Sequence, residues 1–294
     1  MKRMLSQKKR DISTVIIAVL MGIWGLIIIY PYYNALVASI ASQKEYMLNP
    51  LMLFPKTLTL DAYRFLIKGT NLMIGYRNTF LLLFIGLPMS MLLTISTAYV
   101  MAKRDYPGKK LINFLILVTM YFGGGLIPLY ILMKELRLTN SLLGIALLGA
   151  GNTFYAILIR NYIMALPEEL EESAKIDGAN EITAFFRILL PLTAPILATV
   201  LLFFAVDKWN EWFNVMIFVR DSSKWTLQVI LRDIVFSSTA STSNASAMVS
   251  VEKTYYAQGL KMAAIMLTMA PVMLFYPFVQ RYFVKGILVG AVKG

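Results

Sequence analysis

The residues best equipped to do chemistry lie between Asp207 and Asn214. Two carboxylates (Asp207, Glu211), two amides (Asn210, Asn214) and two indoles (Trp209, Trp212) fall within this one stretch. Carboxylates and amides hydrogen-bond hydroxyl groups, and aromatic faces cover C–H surfaces, so the set suits a polyhydroxylated solute. Tyr121, Asn152 and Tyr155 carry the same chemistry in neighbouring segments. Asp207 and Glu211 stand one helical turn apart, as do Asn210 and Asn214. If they lie within a membrane, charged groups there require water, a partner or a ligand. The same residue types also build an interfacial aromatic belt with snorkelling neighbours. The types alone leave both readings open.

A second polar island contains Glu168, Glu169, Glu171, Glu172 and Asp177, and long apolar runs flank it on both sides. It must therefore be a loop at a membrane surface, offered to a partner. Pro167 suits a first helical turn, where its missing N–H costs nothing. The acids that follow sit near the positive end of the helix dipole. Gly178 is a natural left-handed stop, and Asn180 an N-cap for a second helix carrying Ile182, Phe185, Phe186 and Leu189. Thr183 occupies the place where a capping box needs Glu or Gln. A helix lying on lipid headgroups is the competing reading, but anionic lipid repels an acidic cluster.

Composition excludes several classes. The 294 residues are 58% hydrophobic and 15% charged, whereas soluble domains are about a quarter charged. This is an integral membrane protein with no room for a large soluble domain. Cysteine and histidine are absent, which removes disulfides, the commonest zinc and haem ligands, and histidine general-base catalysis. No Gly-x-x-x-x-Gly-Lys-Ser/Thr loop is present, so the chain lacks the means to hydrolyse ATP itself. The net charge of +12 comes from short basic tracts beside apolar runs, as topology signals do, and not from a nucleic-acid surface.

About six helical spans follow from apolar runs near ~20 residues: 13–36, 79–101, 111–133, 141–163, 194–219 and 260–283. Lys2, Arg3, Lys8, Lys9 and Arg10, then Lys103, Arg104, Lys109 and Lys110, then Arg281, Lys285 and Lys293, fall on one side under this count, together with the acidic loop. The basic-loop rule makes that side the cytoplasm. The expected organisation is a cytoplasmic N-terminus (1–12), one transmembrane domain (13–285) with a cytoplasmic loop at 166–192, and a cytoplasmic tail (286–294). Segments 37–76 and 220–259 face outward. Within the second, 225–235 reads as a short helix resting at the outer surface, and 237–250 as a Ser/Thr/Asn-rich loop. Pro88, Gly123 to Gly125, Pro128, Gly144, Gly149 and Gly151 kink helices or let them approach.

The acidic island resembles the coupling loop of ABC-importer permeases. Glu172, Ala174, Asp177, Gly178, Ala179, Phe185, Ile188, Leu190 and Pro191 match that family's pattern in register, with Ser173 where Ala is usual. The stretches Tyr121 to Pro128, Trp209 to Asn214, Gln280 to Gly286 and Gly290 to Gly294 resemble carbohydrate-uptake permeases of the maltose type, in the branch for complex oligosaccharides. The resemblance implies an all-α membrane protein of the bacterial inner membrane. It implies a coupling helix in which Glu171, Glu172, Ser173, Ala174, Asp177, Gly178, Ala179, Phe185 and Pro191 meet an ATPase. It also implies a second homologous permease subunit, two ATPase subunits that bind ATP and magnesium, an extracytoplasmic binding protein and surrounding lipid. This chain would carry no cofactor and perform no catalysis, and would move its solute by alternating access. A permease for a peptide, amino acid or anion is the nearest rival; a secondary carrier or a membrane enzyme lies further off.

Overall fold

The computed structural model describes residues 2–103, 106–167, 169–176, 178–243 and 257–291. Helices follow one another as α1 (Lys2–Ile40), α2 (Gln43–Leu48), α3 (Asp61–Gly69), α4 (Leu72–Ala102), α5 (Lys109–Tyr121), α6 (Leu126–Glu135), α7 (Leu142–Leu148) and α8 (Thr153–Ile163). Then come α9 (Glu169–Ile176), α10 (Glu181–Ala184), a π turn at Phe185–Leu189, α11 (Leu190–Leu192), α12 (Ala194–Trp209), α13 (Phe213–Phe218), α14 (Leu227–Ser243) and α15 (Ala257–Ala291). Among the described residues the β content is one isolated bridge, Ala41 to Leu58. The all-α expectation holds.

Among the described residues, three helical stretches are long and apolar enough to cross a membrane: Ser13–Ile40, Leu72–Ala102 and Gln258–Phe275. Three further spans form only when bent pairs are joined: α5 with α6 at 111°, α7 with α8 at 52°, and Glu181–Leu192 with α12 at 78°. Kinking was expected in the third and fourth spans; breaks of this size, and an end to the fifth span's helix at Trp209 instead of at residue 219, were not. Hydropathy measures length and apolarity, and neither registers a backbone break. Pro88, by contrast, leaves α4 continuous. At Gly125 the backbone takes φ +85°, a left-handed conformation that glycine adopts without steric cost. The Gly-Gly-Gly run thus fills the break between α5, which ends at Tyr121, and α6, which Gly125 precedes.

The chain divides into two compact units, Met1–Thr70 with Leu231–Ala270, and Asn71–Ile230 with Pro271–Gly294. In the first, Val37, Ala41 and Met52 form a small core against Tyr33 and Tyr46. Glu45 holds the loop that follows α2. Its carboxylate accepts from the Lys56 N–H, from the Thr57 N–H at 3.1 Å and from the Thr57 hydroxyl at 2.9 Å. The Lys56 N–H leads these contacts in holding the Glu45 carboxyl below its ordinary range. None of the apolar window of α1 is buried, so its side chains are left for lipid or a neighbouring subunit.

In the second unit α4 is the central post. Its buried residues Leu72, Gly75, Thr79, Leu82, Gly86, Ser90, Thr94, Ala98 and Met101 recur every three or four positions, forming one stripe. Most are small, which lets neighbouring helices approach closely. One core lies around Leu82, Ile145, Val215 and Phe218, and another around Ala98, Ile159, Val200 and Phe204. Asn78 donates to the carbonyls of Ser223 and Trp225 at 2.8 and 2.9 Å, and the Thr79 hydroxyl accepts from the Leu227 N–H at 2.9 Å. These bonds bury the start of α14, with Leu227, Val229 and Ile230 inside. The helix expected to rest on the outer surface is therefore anchored at its first turn. It also continues to Ser243, through part of the stretch expected to be a loop. The remainder of that stretch, 244–250, lies outside the described residues.

Candidate functional site

The acidic loop is built as two short helices joined by a turn. Helix α9 ends at Ile176, and Gly178 takes φ +78°. An added Cβ at Gly178 would meet nothing within 4 Å, so the glycine serves backbone conformation and leaves open space above it. The Asn180 side chain accepts from the Thr183 N–H at 2.8 Å and caps α10. The second helix runs through the π turn into α11, which carries Pro191. Leu189 is buried, while Ile176, Ile182 and Phe186 are 86%, 69% and 59% exposed. Ser173 is exposed and Ala179 half-buried. Glu171, Glu172 and Ala174 are described by their helical backbone; Glu168 and Asp177 lie outside the described residues.

The loop is tied to the end of α4. The Phe185 ring lies 4.8 Å from the Tyr99 ring, and Lys103 makes an ion pair with Glu181 at 3.7 Å. The Lys103 ammonium also sits 4.9 Å above the Tyr99 ring. Aromatic packing and charge thus join the second helix of the loop to the end of α4. Tyr99 and Lys103 were not singled out from the sequence as part of a site. The available signal was an aromatic and a cation one turn apart at the end of a span.

The polar stretch after Phe204 does not continue as one helix. Helix α12 stops at Trp209, Asn210 takes φ −88° and ψ 5°, and α13 begins at Phe213. The expected one-turn pairing of Asp207 with Glu211 and of Asn210 with Asn214 on a continuous helix is therefore broken. Each side chain has its own partner. Asp207 accepts from the Tyr155 hydroxyl at 2.9 Å. Glu211 accepts from the Asn214 N–H and side-chain amide, both at 3.0 Å, and so secures the start of α13. The Glu211 carbonyl accepts from the Thr226 hydroxyl at 2.8 Å. Asn210 accepts from Gln228 at 3.5 Å. Asn152 caps α8 by accepting from the Tyr155 N–H at 3.1 Å.

Among the candidate residues, the structure thus brings Asn152, Tyr155 and Asp207 together. Phe154 and Phe203 place their rings 6.0 and 5.5 Å from that of Tyr155, adding aromatic faces to an accessible carboxylate. Trp209 is elsewhere, buried between Tyr76 and Phe80 at 6.5 and 5.8 Å. Trp212 packs at the edge of the first core and against Phe213. Tyr121 ends α5 and is 76% exposed.

Lys208 was not singled out from the sequence, yet it is 3% exposed. Its ammonium donates to the Ala146 carbonyl at 3.3 Å. Beyond α13, Asp221 accepts from the Ser223 hydroxyl at 2.7 Å and N–H at 3.0 Å, which hold its carboxyl below the ordinary range.

A family model for the binding-protein-dependent transport system inner membrane component matches residues 72–289. This chain belongs to that family. The match begins at the first residue of α4, so it takes in the bent spans and the acidic loop. The chain is 39% identical over 274 residues to the polygalacturonan/rhamnogalacturonan transport system permease protein YtcP of Bacillus subtilis (strain 168), covering 92% of this chain and 94% of YtcP. It is 38% identical over 270 residues to the protein LplC of the same organism, covering 92% and 91% of the two chains. A crystal structure of a bacterial ABC transporter involved in the import of the acidic polysaccharide alginate superposes with a TM-score of 0.84 at 30% identity, covering 93% of this chain and 97% of that one. As a family member, the protein is a multi-pass inner-membrane permease component and not itself an enzyme.

Proposed function

We propose that this chain is the permease subunit of an ATP-driven importer for an oligosaccharide, with acidic, uronate-bearing chains as the first substrates to test. The carrying observation is the near full-length likeness to YtcP, a permease for polygalacturonan and rhamnogalacturonan. The likeness to the alginate importer points to the same chemical class. In this reading a second, homologous permease subunit completes the path, two ATPase subunits bind ATP and magnesium, and an external binding protein delivers the solute. The termini and the loop at 166–192 face the cytoplasm.

The acidic loop is the coupling element. Exposed Ile176, Ile182 and Phe186 offer apolar surface to the ATPase, and Glu171, Glu172 and Asp177 supply charge. Closure of the ATPases on ATP shifts α10, and the Tyr99–Phe185 and Lys103–Glu181 contacts carry that shift into α4. The bent spans then exchange outward and inward packings, a choice biased by nucleotide state. Tyr155, Asp207 and Asn152 line the path, where hydroxyl groups of the passing sugar replace water on Asp207.

The test is import into proteoliposomes holding the complete complex and its binding protein. Oligogalacturonate and alginate oligosaccharides should enter only with internal ATP, and maltodextrin should enter poorly. ATP-independent uptake, or uptake without the binding protein, would sink the proposal.

A further inference from the structure

The break between α7 and α8 leaves a carbonyl without its helical donor. In a continuing helix the Ala150 N–H would bond the Ala146 carbonyl; instead it bonds Leu147 at 3.1 Å. The Lys208 ammonium, from α12, donates to the Ala146 carbonyl at 3.3 Å. A cation at the C-terminal end of α7 also complements its dipole. The Ser90 hydroxyl, from α4, donates to the Gly149 carbonyl at 3.3 Å. Two neighbouring helices thus satisfy the broken backbone.

The fit around Lys208 is close. A Cβ on Gly149 would come within 2.5 Å of the ammonium nitrogen, and one on Gly86 within 3.1 Å of its Cε. Both glycines make the slot in which the side chain lies. A buried ammonium that loses its acceptor carries a large desolvation cost. Separating α12 from the α7–α8 break would impose that cost, so these elements move together.

We propose that Lys208 is a positioning residue for transport, a cationic cap on the Ala146 carbonyl that makes α12 and the α7–α8 break one moving element. The inference rests on the permease reading above, and its first test has two arms. In the reconstituted complex, Lys208→Met should lower the maximal import rate of oligogalacturonate about tenfold, the effect of one lost charged hydrogen bond. The half-saturating concentration should stay unchanged, and more ATP should be hydrolysed per molecule imported. A raised half-saturating concentration at full maximal rate would mean that Lys208 touches the solute, and unaltered transport would mean that it positions nothing; either overturns the proposal.

The second arm is melting of the purified complex and needs no substrate. Gly149→Ala should lower the melting temperature by several degrees with Lys208 present, and by much less in the Lys208→Met background. Equal losses in both backgrounds would show that Gly149 does not accommodate the ammonium, overturning the slot. If the wild-type complex imports nothing while this coupling is found, the functional reading has failed and the slot stands.

Discussion

Tyr99 and Phe185 meet with ring centroids 4.8 Å apart and planes tilted by 58°, joining the last turns of a long span to the second helix of the acidic loop. They are distant in sequence, and the neighbouring Lys103–Glu181 ion pair at 3.7 Å follows the same route. Aromatic pairs contribute roughly 0.5–1.5 kcal/mol beyond area burial. Phe185→Ala should leave the complex assembled but reduce the stimulation of its ATPase by loaded binding protein severalfold. A double-mutant cycle with Tyr99→Ala should show a coupling of about 1 kcal/mol in melting experiments. Additive losses would mean that the contact transmits nothing.

Gly178 separates a conformational requirement from a steric one. Its φ of +78° disfavours any residue with a Cβ, at about 1–2 kcal/mol, whereas Asn tolerates left-handed backbone better than Ala. If the turn alone matters, Gly178→Asn should retain more ATP-coupled import than Gly178→Ala. If the ATPase approaches the open space above the glycine, both variants should fail alike. Import assays on the two variants decide between these.

Tyr155 and Asp207 form the accessible polar pair of the proposed path, with the hydroxyl donating at 2.9 Å. Asp207→Asn should raise the half-saturating solute concentration about tenfold, because charged hydrogen bonds contribute roughly 1.5–3 kcal/mol. Tyr155→Phe should have a smaller effect in the same direction, since the ring contacts with Phe203 and Phe204 remain. Unchanged import kinetics in both variants would remove these residues from the path.

Glu45 predicts a pH response in the loop after α2. Hydrogen bonds led by that from the Lys56 N–H lower its folded pKa. A depressed carboxylate pKa contributes stability that is fully present above the unfolded value and is lost as pH falls through the folded value. Protease cleavage within 49–58 should therefore be slow near neutral pH and accelerate below the ordinary carboxylate range. Glu45→Gln should be cleaved faster at neutral pH and show little dependence on acidification. A native profile that stays flat down to acid pH would contradict the role assigned to this carboxylate.

The legible features were those encoded locally. Long apolar runs require spans in any fold, because lipid offers backbone groups no hydrogen bonds. Gly178 and Asn180 took their expected roles as a left-handed turn and an N-cap because each depends on neighbours within a few residues. The acidic loop could be located for the same reason.

The breaks were less visible. Gly125 stands at the start of α6, where the chain has turned by 111° from α5, yet its apolar surroundings read as continuous span. Helix α12 stops at Trp209, and the bonds around that end include those from Thr226 and Gln228. These donors are not adjacent in sequence, so the periodicity of Asp207 to Asn214 contained no sign of the interruption.

What the amino-acid order determined by itself was an all-α membrane protein with a capped loop turned at a glycine, because apolarity, capping and glycine conformation act over short distances. Only tertiary structure decided that Lys208 would be buried against Ala146, that Trp209 would turn into an aromatic cluster, and that Tyr99 would meet Phe185. Each of those outcomes depends on groups far apart in the chain, whose encounter is set by how the helices break and pack.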